Sequence, residues 1–132
     1  MKEEITGGLP PAPQPFSWGI RANGLLYTTH GPITAEGAIL KGDITAQAEL
    51  TFQNMRAVLE EAGGTLDDIV QVQIFLLDVA DMKPVDEVYK RYFSAPYPNR
   101  ASLVVAALVA EGMRIEVTAI ADLTLSASGT AG

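Results

Sequence analysis

Two charged residues stand where charge is least expected. Arg100 follows the proline-rich stretch Ala95-Pro96-Tyr97-Pro98-Asn99 and opens the most apolar run of the chain. A guanidinium at the mouth of an apolar strand can clamp a carboxylate through two parallel hydrogen bonds; the alternative is a surface arginine closing a strand end. Glu116 lies in Met113-Arg114-Ile115-Glu116-Val117-Thr118-Ala119-Ile120, at an alternation position between Arg114 and Thr118. A strand glutamate beside apolar surface can have a raised pKa and handle protons; the alternative is a solvated residue paired across strands. Thr28, Thr29 and His30 form a polar cluster at the end of an apolar strand. Their hydroxyls suit a small anion or a positioned water, and equally suit ordinary strand-end chemistry. His30 is the single imidazole and there are no cysteines, so a thiol nucleophile is excluded and a zinc site lacks ligands. There is no Gly-x-Ser-x-Gly elbow, P-loop or Gly-x-Gly-x-x-Gly.

The elements that must position these residues follow from pattern. Residues 1–15 carry Pro10, Pro11, Pro13 and Pro15 and read as an extended, poorly ordered arm. A short strand over 16–20, a hairpin turn at Asn23-Gly24 and a returning strand over 25–29 come next, ended by Gly31-Pro32. Residues 33–42 read as a loop with a short strand. Ile44, Ala48, Phe52, Met55, Leu59 and Ala62 recur at steps of three and four. They predict one helix, capped by Asp43 or Thr45 and stopped by Gly63-Gly64. Residues 69–77 alternate as a strand. Pro84 fits the first turn of a second helix, whose apolar face is Val85, Val88, Tyr89, Tyr92 and Phe93. Residues 101–108 read as a strand buried on both faces, 114–125 as the last strand, and 126–132 as a disordered tail. The order β-β-α-β-α-β-β, with both helices on one face of a mixed sheet, predicts an α+β sandwich.

Length and composition set bounds. At 132 residues the chain is one domain, since domains run about 100–200 residues. Nine Lys+Arg against 16 Asp+Glu give a net charge of −7, which repels phosphate backbones and argues against nucleic-acid binding. Apolar residues make up 48%, a surplus that in a small domain often ends in a subunit interface. The longest apolar stretches fall far short of the ~20 residues of a membrane helix. The N-terminus has no apolar region of a signal peptide. The expectation is a soluble, cytoplasmic protein.

The assembled segments resemble the Rid family (reactive intermediate deaminase, RidA/YjgF-like). The resemblance rests on Gln47-Ala48 and Asn54, on the run from Leu59-Glu60-Glu61-Ala62-Gly63-Gly64 through Thr65-Leu66-Asp67-Asp68-Ile69-Val70, and on Asp81-Met82, Val85-Asp86-Glu87-Val88-Tyr89 and Tyr92-Phe93. Its most specific stretch is Pro98-Asn99-Arg100-Ala101-Ser102, continued by Val105-Ala106 and Ile115-Glu116-Val117-Thr118-Ala119-Ile120-Ala121. It covers residues 15–125, almost the whole chain. It implies a chorismate-mutase-like ββαβαββ fold, a homotrimer with pockets between subunits, and hydrolysis of 2-imino acids or their enamine tautomers to 2-oxo acids and ammonia, with no metal or organic cofactor. Arg100 would bind the substrate carboxylate, Glu116 would hold the attacking water, and Ala101-Ser102 would line the pocket. The chain departs from the family at four matching positions. Phe16 stands where tyrosine is usual, Thr28 where serine is, Thr29 where glycine is, and Asp86 where asparagine is frequent. Those changes leave open a divergent relative acting on another small imine or amide, or a trimer that binds small carboxylates without turnover. Some family members carry the name endoribonuclease, against which the charge and the absence of a histidine pair both argue.

Overall fold

The computed structural model describes residues 1–126. The hairpin forms where the sequence asks for it. Asn23 and Gly24 take φ of 53° and 78°, the left-handed pair a two-residue turn requires, and join β2 (Gly19–Ala22) to β3 (Leu25–His30). Asp43 accepts the amide of Thr45 at 3.3 Å and caps α1 (Ile44–Glu61), and Gly63 leaves the helix at φ 89°. The expected stripe is its core face: Ala48, Phe52, Met55 and Leu59 have no exposed surface. A short 3-10 turn leads into β4 (Ile69–Leu76), and a second leads into α2 (Met82–Tyr92). The chain ends in β5 (Asn99–Val104) and β6 (Ile115–Asp122).

Three expectations need correction. The N-terminal arm contributes a strand, β1 (Glu3–Ile5), paired antiparallel with β2. Its Ile5 is buried in the core, and Trp18 Nε1 donates to the Pro10 carbonyl at 2.8 Å, so prolines that cannot pair in a sheet still lie fixed against it. Residues 33–42 make only an isolated bridge, Ile33 to Ile39. The strand expected over 101–108 and buried on both faces is β5, shorter and open: Leu103 and Val104 are 42% and 52% exposed. The cause is its place at the edge, after β1-β2-β3-β6-β4, paired only with β4 and parallel to it. Residues 127–132 of the expected tail lie outside the described residues, and Ser126 donates to Asp68 at 2.6 Å.

The sheet is mixed, with β4 and β5 parallel and its other pairs antiparallel. One face is dry. Leu26, Val72, Ile74, Leu76, Ile115 and Val117 pack there against Phe52, Val58, Val85 and Val88 of the helices, each such burial contributing about 1.5–3 kcal/mol. The other face carries no helix. It presents Tyr27, Gln71, Gln73, Phe75, Thr118 and Ile120, half-buried or exposed. The α+β class with two helices on one face of a mixed sheet is as expected.

Candidate active site

Arg100 is held on three sides. It opens β5 opposite Val72 of β4, and Val72 points into the dry face, so the guanidinium turns toward α2. Met82, Asp86 and Tyr89, at i, i+4 and i+7, stand on the stripe of α2 that meets it. Nη2 donates to Asp86 Oδ1 at 2.6 Å, Nε donates to Ser102 Oγ at 2.9 Å, and the cationic carbon sits 4.7 Å over the Tyr89 ring. Such contacts fix a planar guanidinium in one orientation. The cleft here holds about 420 Å³ and includes Lys83, Lys90 and Tyr97. Its lining carries Lys83, Lys90 and Arg100 against Asp86 and Glu87, an excess of one positive charge that favours a small carboxylate. Tyr89 has its hydroxyl buried without a hydrogen-bond partner, and burial pushes its pKa up, against the pull of Arg100.

Glu116 belongs to a different cleft. It pairs with Phe75 on the face without helices, and it lines a cleft of about 520 Å³ with Phe16, Trp18, Thr29, Val109 and Met113. Burial among apolar neighbours raises its carboxyl above the usual range. Phe16 stands edge-on to Trp18 at 4.9 Å. His30 stacks on Trp18 at 6.0 Å, and burial lowers its pKa to about 3, so the imidazole is neutral.

The expected site residues therefore fall into two groups. Phe16, Thr29 and Glu116 share one cleft; Arg100, Asp86 and Ser102 share the other. Ala101 pairs with Gln73 and is exposed on the face without helices. Thr28 is turned inward, 3% exposed, its hydroxyl donating to the Trp18 carbonyl and touching His30 Nε2. The hydroxyl that reaches a cleft is that of Thr29. Alternation decides this: in a strand whose even positions are buried, 28 and 30 face the core and 29 faces out. Sequence reasoning missed Trp18, Val109 and Met113 as cleft walls and took Tyr89 for core alone. The spacing of Asp86 and Tyr89 on one helix was the available signal for the latter.

Within one chain Arg100 and Glu116 face opposite sides of the same sheet. Arg100 shares its face with Val72, and Glu116 shares its face with Phe75, an odd number of residues along β4.

A helix-backed mixed sheet that offers an oriented arginine on one face and a half-buried glutamate on the other defines a small α+β protein with two separate clefts. The chain matches the family described as Endoribonuclease L-PSP over residues 7–123. It is 35% identical over 127 residues to the chloroplastic Reactive Intermediate Deaminase A of Arabidopsis thaliana, covering 93% of this chain and 67% of that protein. It is 32% identical over 118 residues to the human 2-iminobutanoate/2-iminopropanoate deaminase, covering 88% and 85%. Among solved structures, YyfA of the Rid family from Yersinia pestis superposes with a TM-score of 0.86 at 34% identity, covering 92% of this chain and 99% of that one. E. coli TdcF with bound serine gives 0.83 at 31%, covering 91% and 98%. The chain belongs to this Rid, or L-PSP, family. Among the described residues no helix is long and apolar enough to cross a membrane.

Proposed function

We propose that the protein is a homotrimeric hydrolase of 2-imino acids and their enamine tautomers, with its sites between subunits. The observation that carries this reading is the orientation of Arg100 by Ser102, Asp86 and Tyr89 in a cleft with two lysines. Such a guanidinium binds a carboxylate and aligns the rest of the molecule. Support for the chemistry comes from the relatives named as deaminases. Support for the assembly comes from the separation of Arg100 and Glu116 on opposite faces of one sheet and from the exposed apolar edge at Leu103 and Val104.

In the reaction, water adds to the imine carbon. The C–O bond forms, the π pair passes to nitrogen, and nitrogen takes a proton. The carbinolamine nitrogen then takes the proton that Glu116 removed from the water, an oxygen lone pair forms the C=O bond as the C–N bond breaks, and the hydroxyl proton passes back to Glu116, leaving a 2-oxo acid and ammonia. Arg100 holds the carboxylate. Glu116, on the neighbouring subunit, accepts a hydrogen bond from the water and takes its proton as it attacks, an arrangement worth about 10²–10⁴-fold. The Arg100 and Glu116 groups need no metal or organic cofactor for this sequence.

A second reading, carboxylate binding without turnover, has one observation in its favour: Asp86 already occupies part of the guanidinium. RNA cleavage, the activity in the family's description, finds no support in a chain of net charge −7. The test is ammonia release from 2-iminopropanoate and 2-iminobutanoate generated in situ, against the spontaneous rate. Acceleration that disappears in Arg100→Ala is expected. Full activity in that variant overturns the mechanism, and a folded protein that binds but does not accelerate establishes the second reading.

A further inference from the structure

The cleft beside Glu116 is larger and more apolar than an alanine-derived imino acid requires. We propose that it receives the substrate's side chain, and that the protein prefers 2-imino acids with a bulky apolar side chain, branched aliphatic or aromatic, over those derived from alanine or serine. This rests on the imine-hydrolase reading above and assigns the substrate class of that same site.

The first ground is the chemistry of the walls. Phe16, Trp18, Ile33, Val109 and Met113 surround Glu116. Among the described residues lining the cleft, Glu116 is the one that carries a charge, because the His30 imidazole is neutral. A charged side chain seated there would lose its hydration with nothing to replace it. The Arg100 cleft is the opposite, with Lys83, Asp86, Glu87 and Lys90 in its lining. The two halves thus divide one substrate: the charged end goes to Arg100 and the apolar end to the Glu116 side.

The second ground is size. In one chain the cleft holds about 520 Å³, within the roughly 300–1,000 Å³ of sites that bury drug-sized ligands, so a side chain larger than methyl has room even where a neighbouring copy closes part of it.

The third ground is that the Ile33 and Met113 walls are fixed from behind by polar side chains outside the cleft. Asn54, on α1, donates to the carbonyls of Gly31 at 3.1 Å and Ile33 at 3.0 Å. Gln47, fully buried on the same helix, donates to the Gly112 carbonyl at 2.8 Å and accepts the Arg114 amide at 2.8 Å. These bonds bracket Met113. Gly31 completes the fit, since a Cβ there would lie 2.6 Å from Met113 Sδ. A preformed apolar cavity binds without an ordering cost. In this reading the neighbouring copy brings Arg100 across the cleft and leaves the space beside Glu116 and Thr29 to the substrate.

The experiment measures imine disappearance for substrates made in situ by an L-amino-acid oxidase from alanine, 2-aminobutyrate, leucine, methionine and phenylalanine. The expected result is a kcat/KM for the leucine- or phenylalanine-derived imine at least about tenfold above that for the alanine-derived one, the discrimination that even one methylene can give in an apolar pocket. A preference for the alanine-derived imine, or equal rates, overturns the substrate assignment while leaving the imine-hydrolase reading intact. Acceleration of none overturns that reading itself. Val109→Trp provides an independent check. Val109 is 85% exposed on a loop, so the variant folds, and its indole narrows the cleft. The leucine-to-alanine ratio of kcat/KM should fall at least about tenfold; an unchanged ratio overturns the assignment.

Discussion

Arg100 has part of its hydrogen-bonding capacity engaged by Asp86 before any ligand arrives. The pair is half exposed, with side chains 22% and 41% accessible, so its strength is that of a screened surface pair, about 0.2–1 kcal/mol. An incoming carboxylate must displace Asp86 or share the guanidinium with it, and it meets a like charge while doing so. Asp86→Asn removes the charge and keeps the hydrogen-bond acceptor. The expected outcome is a KM for the imino acid lowered by up to about fivefold with kcat little changed, read from steady-state kinetics; a raised KM would mean that Asp86 binds the substrate. Glu116 gives a second signature. Burial raises its pKa, and its role as water acceptor needs the ionised form. The rate should therefore fall as pH drops through a value above the ordinary carboxylate pKa, and Glu116→Gln should remove that limb with most of the activity. A wild-type profile flat down to pH 4 would contradict the role. At this scale the sequence singled out two charged groups that the structure places in clefts, because each sat against its local apolar pattern. It misplaced Thr28, whose hydroxyl is spent on Trp18 and His30, because which parity of β3 faces the core depends on the sheet it joins. Trp18 and Met113 were invisible as cleft walls, since an apolar side chain carries the same signal whether it lines a cleft or fills a core.

The elements hold these groups through a few buried polar bonds. Gln47 has no exposed surface and ties α1 to both sides of Met113. Arg114, two residues beyond Gly112, extends the tie to the Gly42 carbonyl and to Asp81 at 2.8 Å. Gln47→Leu keeps the volume and leaves the Arg114 amide and the Gly112 carbonyl without partners, at about 1–3 kcal/mol for each buried group. Urea denaturation should show that loss, and kcat/KM should fall further than Arg100-side carboxylate affinity, because the loop that moves carries only the Glu116 half. Equal losses in both would mean a general loosening. The helices, the hairpin and the alternation of β4 and β6 were legible because period and caps are local properties. β1 was not, because the prolines that follow it in the arm outweighed three residues whose pairing with β2 is a tertiary fact. The burial of β5 was overread for a related reason: an apolar run signals removal from water, without saying whether the same chain or another copy does the covering.

For the whole molecule, the opposite facing of Arg100 and Glu116 makes assembly a condition of the proposed activity. A closed ring of identical subunits can place the Arg100 face of one copy against the Glu116 face of the next. Arg100→Ala and Glu116→Gln should each be inactive as pure proteins. When the two are unfolded together, mixed one to one and refolded, some sites will receive the intact arginine from one variant and the intact glutamate from the other. For random mixing, the chance that a given site has both is about one quarter, so the mixture should recover about a quarter of wild-type turnover. A site built within one chain would recover nothing, because every chain in the mixture lacks one of the two groups. The same experiment separates catalysis from stability, since a variant that merely fails to fold cannot rescue its partner. Dilution adds a check on the assembly itself. If the exposed edge at Leu103 and Val104 is what the neighbouring copy covers, Leu103→Asp places a charge in a desolvated interface, and turnover and trimer mass should be lost together in light scattering and assay. Activity that survives in a monodisperse monomer would contradict the shared site and return both groups to a single chain.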